Sequence, residues 1–128
     1  MIHERHYTLA EASELLPHVV ELLERMRSAR DRLGDREARE ALSEASPTNG
    51  GGTPGRTVSE GFLELRDSIA ELRELDVVLR DLDRGLLDFP SLRDGQEVYL
   101  CWQEGEDAIG FWHEPDAGFA GRRPLADG

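Results

Sequence analysis

The sequence predicts an α+β fold, with a long antiparallel helical hairpin followed by a small antiparallel sheet of two to three strands. Two observations support this prediction. Apolar residues recur at helical spacing over roughly the first two thirds of the chain, and after Gly85 they alternate as they do in strands. A chain of 128 residues has the usual size of one domain, so residues 1–128 are expected to form a single domain.

The first helix is predicted from about residue 8 to about residue 46. Thr8 can accept a hydrogen bond from an amide of the first turn, and Glu11 can reach back to the Thr8 amide, which is the pattern of a capping box. An apolar stripe follows at steps of three and four residues: Ala12, Leu15, Val19, Leu22, Met26, Ala29 and Leu33. Because this stripe must be buried, the helix needs a partner.

Residues 47–56 are rich in glycine and proline and are predicted to be a flexible linker. They contain the spelling Gly-x-Gly-x-x-Gly, but no strand is predicted before it, so a dinucleotide site is not expected. The second helix is predicted over about residues 57–84, with Gly85 ending it. Asp76 interrupts its apolar stripe, and we expect Asp76 to pair with Arg80 one turn further on.

A β-hairpin is predicted after the second helix. Residues 97–102 and 108–113 contain alternating β-branched and aromatic residues, and the turn between them includes Gly105. Residues 86–90 are expected to add a strand, because a two-stranded ribbon alone is marginally stable in water. The tail, residues 114–125, is expected to be a loop interrupted by glycines.

The composition argues against several function classes. With 27 acidic and 15 basic residues the net charge is −12, whereas nucleic-acid binding and anionic membrane surfaces both need positive potential. The single cysteine cannot form an internal disulfide or a cysteine-rich zinc module. No apolar run approaches the ~18 residues of a membrane span, and no apolar signal sequence follows Met1. A cytoplasmic location is therefore expected.

Four blocks, at residues 7–17, 81–90, 98–102 and 112–125, are distinctive. They read Tyr-Thr-Leu-Ala-Glu-Ala with Leu-Leu-Pro, then Asp-Leu-Asp-Arg-Gly-Leu-Leu-Asp-Phe-Pro, Val-Tyr-Leu-Cys-Trp, and Trp-His-Glu-Pro-Asp-Ala-Gly-Phe-Ala-Gly-Arg-Arg-Pro-Leu. Together they resemble a family of small bacterial proteins catalogued as domain of unknown function 2203. Members usually have glycine where this chain has Asp76, and the resemblance implies no particular activity.

The densest group of residues with functional chemistry surrounds the predicted sheet and its tail: Asp88, His113, Glu114, Asp116, Arg122 and Arg123. Imidazole and carboxylate suit Zn, Mn or Fe, but adjacent residues of a strand point to opposite faces, so His113 and Glu114 are only weak candidate ligands. We expect no bound metal and no cofactor. The competing interpretation is structural, with His113 hydrogen-bonded to Asp88 or Asp116.

The arginine pair of the tail, Arg122 and Arg123, has two interpretations. Guanidinium groups behind glycines can bind a phosphate or a carboxylate ligand. We favour internal ion pairs that fasten the tail to the body, through Asp81, Asp83 or Asp88. Cys101 has no neighbouring cation in the sequence and is expected to be buried and inert. Three further histidines are expected to be exposed: His3, His6 and His18.

On these grounds the sequence predicts a non-enzymatic interaction or regulatory module. A homodimer through the helices is expected, because the apolar stripes are wider than one partner helix covers, and an additional protein partner is compatible with this reading. The alternative is a metal-dependent or anion-binding enzyme with a site around four residues: His113, Glu114, Asp88 and Arg122.

Overall fold

The computed structural model describes residues 1–34 and 59–125. Two helices, α1 (Leu9–Asp31) and α2 (Glu60–Glu74), pack on each other and precede the strands. The strands are β1 (Val78–Asp81), β2 (Leu86–Arg93), β3 (Gln96–Gln103), β4 (Phe111–His113) and β5 (Arg123–Pro124). They form one antiparallel sheet in the order β1-β2-β3-β4-β5. The α+β class is confirmed, but the sheet has five strands rather than two to three.

Helix α1 begins with the predicted capping box. The Thr8 hydroxyl accepts from the Glu11 amide at 3.1 Å, and the Glu11 carboxylate accepts from the Thr8 amide at 2.8 Å. Within the described residues α1 ends at Asp31, earlier than the predicted end near residue 46. Residues 35–46 of the predicted first helix and the predicted linker at residues 47–56 lie outside the described residues, so the helical hairpin stays a prediction.

Helix α2 is shorter than predicted. It starts after Ser59, whose hydroxyl accepts from the Phe62 amide at 3.2 Å, and it ends at Glu74 rather than at Arg84. Asp76 has φ +62°, a left-handed conformation that cannot continue a helix. A glycine at this position would adopt the same conformation without strain.

The chain that follows α2 is therefore strand β1, and three expectations for this segment are wrong. Residues 78–81 are extended rather than helical. Gly85, with φ +64°, lies in the turn between β1 and β2 instead of ending the helix. Arg80 pairs with Asp88 and not with Asp76, because Arg80 lies on strand β1, which is paired with β2, the strand that contains Asp88.

Strands β2 and β3 form the longest hairpin of the sheet. Their turn consists of Asp94 (φ +53°) and Gly95 (φ +78°), and two positive φ angles are typical of a type I′ turn. The predicted pairing of residues 97–102 with residues 108–113 is present as β3 against β4, with Leu100 opposite Trp112. The residues that join these two strands are 104–110.

The two faces of the sheet differ. One face packs on α1 and α2, and its residues are buried with those of the helices: Leu87, Phe89, Leu100 and Trp102. The opposite face, which we call the polar face, contains Asp88, Pro90, Tyr99, Cys101 and His113, because side chains alternate along a strand. Much of the apolar surface of both helices is thereby covered within a single chain.

Neither helix of the described ranges is long and apolar enough to cross a lipid bilayer.

Candidate functional site

Three buried side chains meet on the polar face: Asp88 of β2, Cys101 of β3 and His113 of β4. Their exposed fractions are 2%, 1% and 1%. One ligand atom from each residue can be chosen so that all three lie within 4.8 Å of one another. Since Asp88 is directly opposite Cys101 and His113 lies on the next strand, the pairing register of three neighbouring strands sets these positions.

Asp88 has one paired and one unpaired oxygen. Its Oδ2 accepts from Arg80 Nε at 2.8 Å and lies 3.0 Å from His113 Nε2. Its Oδ1 is buried and accepts no well-formed hydrogen bond among the described residues, although the carboxylate interacts with the Cys101 thiol. A buried acceptor without a partner costs about 1–3 kcal/mol, so Oδ1 is the least satisfied atom of this cluster.

His113 is oriented by its own backbone neighbour. Its Nδ1 lies 2.7 Å from the carbonyl oxygen of Glu114. A carbonyl can only accept, so Nδ1 is protonated and donates, and Nε2 is the ring nitrogen that faces Asp88. The ring also packs against Tyr99, with centroids 5.4 Å apart and an angle of 37° between the planes.

Cys101 is buried, as expected from the sequence. Burial raises the pKa of its thiol to about 11, and the negative charge of Asp88 acts in the same direction, while Arg122 acts to lower it. In the absence of a bound cation the sulfur is therefore a neutral thiol at physiological pH. A neutral, buried thiol is a poor nucleophile.

Arg122 covers Cys101 from the outside. Its guanidinium lies 3.9 Å from the Phe111 ring centroid and 4.3 Å from that of Phe119, and it pairs with both carboxylate oxygens of Glu106 at 2.7 and 3.2 Å. Its Nη1 is 3.9 Å from Cys101 Sγ. Arg122 therefore fastens the tail to the body by an internal ion pair, as expected, but its partner is Glu106 of the loop between β3 and β4. None of the three carboxylates named from the sequence pairs with Arg122.

The remaining predicted site residues lie elsewhere. Glu114 and Asp116 line a surface cleft together with Trp112 and Glu97. Arg123 of β5 lies over the Trp112 ring, 5.3 Å from its centroid. The structure therefore brings Asp88 and His113 together and separates Glu114, Asp116 and Arg123 from them.

The N-terminal segment adds two histidines that the sequence analysis placed in solvent. His3 Nδ1 lies 2.6 Å from Asp76 Oδ1, and His3 Nε2 lies 2.6 Å from the Tyr99 hydroxyl. His6 Nε2 lies 2.8 Å from Glu97 Oε2. Their side chains are 11% and 15% exposed, so both expectations of exposure are wrong, while His18 is 45% exposed as expected.

Sequence reasoning also missed the part that Cys101 plays in the cluster. Strand alternation puts Cys101 and Tyr99 on one face, and that signal was available from residues 97–102. Placing Asp88 beside Cys101 additionally required the register of β2 against β3, which the Asp94-Gly95 turn determines.

Fold and site together define a small α+β protein in which, over residues 1–34 and 59–125, two helices cover one face of a five-stranded sheet and the other face holds a buried polar cluster. Residues 5–125 match the family described as uncharacterized conserved protein DUF2203, and the chain belongs to this family. The resemblance noted from the four sequence blocks is confirmed. Searches of curated proteins and of solved structures found no match.

Proposed function

We propose that this protein is a non-enzymatic interaction or regulatory module of the cytoplasm. The observation that supports the proposal is the burial of the cluster: Asp88, Cys101 and His113 are at most 2% exposed. A catalytic acid, base or nucleophile must come within hydrogen-bond reach of a substrate atom. The three side chains of this cluster offer a substrate no such access.

The alternative, an enzyme that uses His113, Glu114, Asp88 and Arg122, needs all four residues around one ligand. The Glu114 side chain lines the cleft beside Trp112, apart from the buried pair. The guanidinium of Arg122 is already paired with Glu106 and held between two aromatic rings. An anion would have to displace Glu106, so this arrangement favours the non-enzymatic proposal.

The accessibility of Cys101 tests the proposal directly, because it is the single cysteine of the chain. The folded protein is treated with a small thiol reagent, and the reaction rate is compared with that of the urea-unfolded chain at the same pH. We expect the folded protein to react only as fast as it opens, with denaturant increasing the rate. A folded-state rate close to that of the unfolded chain shows that small molecules enter the cluster and contradicts the proposal.

The proposal includes a homodimer formed through the outer faces of the helices. Leu63 of α2 is 38% exposed beside the acidic residues Glu60 and Glu64, so it is an apolar contact available to a second copy. Light scattering at micromolar concentration is expected to give twice the chain mass of 14.4 kDa. Leu63→Glu is expected to shift the mass toward that of one chain. A single-chain mass at every concentration contradicts the dimer.

A further inference from the structure

The unpaired oxygen of Asp88 points to a ligand that the hydrogen bonds of the cluster do not supply. Oδ1 is buried and accepts no well-formed hydrogen bond among the described residues, while Oδ2 already accepts from Arg80 and faces His113. Cys101 lies directly opposite Asp88 in the strand pairing. An oxygen, a sulfur and a nitrogen ligand atom from three neighbouring strands thus lie close together, each on a buried side chain. We propose that Asp88, Cys101 and His113 bind one divalent transition-metal ion, with Zn²⁺ as the best match.

The spacing of the three side chains is close to what zinc requires. Zinc bonds to oxygen, nitrogen and sulfur measure roughly 2.0–2.3 Å, so two ligand atoms of a tetrahedral site lie about 3.5 Å apart. One ligand atom of each residue can be chosen so that the three atoms lie within 4.8 Å of one another. Side-chain adjustments of about 1 Å therefore suffice, without a change in strand pairing.

The hydrogen bonds around the cluster match those that orient metal ligands. A metal-binding histidine usually donates its other ring N–H to a carbonyl or a carboxylate, as His113 Nδ1 does to the Glu114 carbonyl at 2.7 Å. A ligating carboxylate is commonly hydrogen-bonded through its second oxygen, as Asp88 Oδ2 is by Arg80 Nε at 2.8 Å. Nε2 and Oδ1 are then the ligand atoms, and metal binding replaces the 3.0 Å contact between His113 Nε2 and Asp88 Oδ2.

The chemistry of the three ligands selects the class of metal. A thiolate and an imidazole favour zinc and related transition metals over Mg²⁺ and Ca²⁺, which prefer sets of oxygen ligands. A Cys101 thiolate and the Asp88 carboxylate together balance the charge of a divalent ion, and His113 binds as a neutral imidazole. Binding then releases the thiol proton of Cys101 and the proton held between His113 and Asp88. The three side chains leave a fourth coordination position for water or a small anion.

This inference revises the expectation that the chain binds no metal, and it changes the candidate ligands. His113 is retained, Asp88 and Cys101 join it, and the Glu114 side chain is not part of the set. A buried metal of this kind is compatible with the non-enzymatic proposal, since the three ligands are closed to bulk solvent. It does not depend on that proposal.

Cobalt provides the sharpest probe, because a bond from thiolate to Co²⁺ produces a charge-transfer absorption that oxygen and nitrogen ligands do not. The full chain is unfolded with a chelator, refolded with Co²⁺ or Zn²⁺, and freed of excess metal. We expect one ion per chain, thiolate-to-cobalt absorption, and a higher Tm in the zinc-loaded protein than in the metal-free protein. Where refolding is incomplete, metal analysis of protein purified directly from cells tests the same proposal. We expect one zinc ion per chain.

Two variants separate this site from adventitious surface binding. Cys101→Ala removes the sulfur with little change in volume and is expected to abolish the charge-transfer absorption, the bound ion and the rise in Tm. His18→Gln changes an exposed histidine and is expected to leave all three unchanged. Absence of stoichiometric metal in the natural sequence overturns the proposal. Metal binding without thiolate absorption also overturns it. So does metal binding that persists in Cys101→Ala but is lost in His18→Gln.

Discussion

His113 Nε2 and Asp88 Oδ2 lie 3.0 Å apart, although 25 positions separate the two residues in the chain. Strand β3 runs between their strands, so this contact joins β2 to β4 across the central strand of the sheet. Nδ1 of the ring already donates to the Glu114 carbonyl, so a second proton lies between Nε2 and Oδ2. The pair is charged if this proton is on His113 and neutral if it is on Asp88. In both cases the two groups satisfy each other, and both side chains are at most 2% exposed.

Removing His113 is expected to destabilise the metal-free protein. His113→Ala leaves Arg80 as the ion-pair partner of Asp88 among the described residues, and we expect a loss of about 1–3 kcal/mol in the free energy of unfolding. Urea denaturation in the presence of a chelator measures the change. Glu114→Ala is the matched control, because that side chain is exposed and adjacent in sequence. Equal effects of the two substitutions contradict a stabilising role for the buried pair.

Arg122→Ala is expected to destabilise the fold clearly. It removes a bidentate ion pair with Glu106 and the cation–π contacts of the guanidinium with the Phe111 and Phe119 rings, and the side chain is 17% exposed. A cost of roughly 1–3 kcal/mol follows from the lost ion pair and the lost packing, while Glu106 Oε1 still accepts from the Gln103 amide. Arg123→Ala, an exposed neighbour over the Trp112 ring, is expected to cost less than about 1 kcal/mol. Thermal unfolding of both variants measures the two costs. A larger loss of stability in Arg123→Ala than in Arg122→Ala contradicts this assignment.

The structure shows why the second helix was predicted too long. Leu75, Val78, Leu79 and Leu82 continue the helical spacing, so periodicity gives no end before Gly85. The helix ends because Asp76 adopts a left-handed conformation, and its carboxylate lies beside His3, which is 73 positions away. A contact of that range is invisible to local patterns.

The candidate site was predictable only in part. The sequence indicated a hydrogen bond from His113 to Asp88 or to Asp116, and the structure contains the first of these. Strand alternation could have placed Cys101 on the same face as His113 and Asp88. The Asp94-Gly95 dipeptide is a strong hairpin signal that determines the register of β2 and β3. In contrast, the Arg122–Glu106 pair depends on how a loop and the tail fold over the sheet, which no periodicity encodes.

Two glycines with positive φ allow steric clash to be separated from backbone strain. At Gly85 (φ +64°) an added Cβ lies 2.7 Å from Glu104 Cβ and 2.9 Å from Arg27 Nη2, whereas at Gly95 (φ +78°) nothing lies within 4 Å. Both Gly→Ala changes carry the left-handed penalty of about 1–2 kcal/mol. We expect Gly85→Ala to cost about 1–3 kcal/mol more than Gly95→Ala in urea denaturation, because the β1–β2 turn must move. Equal costs exclude the clash.

Glu97 connects the N-terminal segment to the sheet, and it makes stability depend on acid pH. Its carboxylate accepts from the Ile2 amide at 2.9 Å, the His3 amide at 3.0 Å and His6 Nε2 at 2.8 Å. Burial acts to raise its pKa, but these hydrogen bonds outweigh burial and lower the pKa from 4.5 to about 2. A folded-state pKa below the unfolded value means that ionised Glu97 stabilises the fold above about pH 4.5, and that this contribution is lost as the pH falls toward about 2.

Glu97→Gln is therefore expected to lower the free energy of unfolding at neutral pH and to matter progressively less in acid. The carboxamide keeps one acceptor oxygen but loses the charge that the two amides and His6 bind. Urea denaturation of both proteins across a pH series measures the difference, which is expected to shrink below about pH 4.5 and to become small near pH 2. Glu4→Gln, an exposed carboxylate of the same segment, is the control and is expected to change stability little at any pH. A difference between natural sequence and Glu97→Gln that stays constant from neutral pH to about pH 2 shows that the charge of Glu97 contributes nothing, and that result contradicts the assignment.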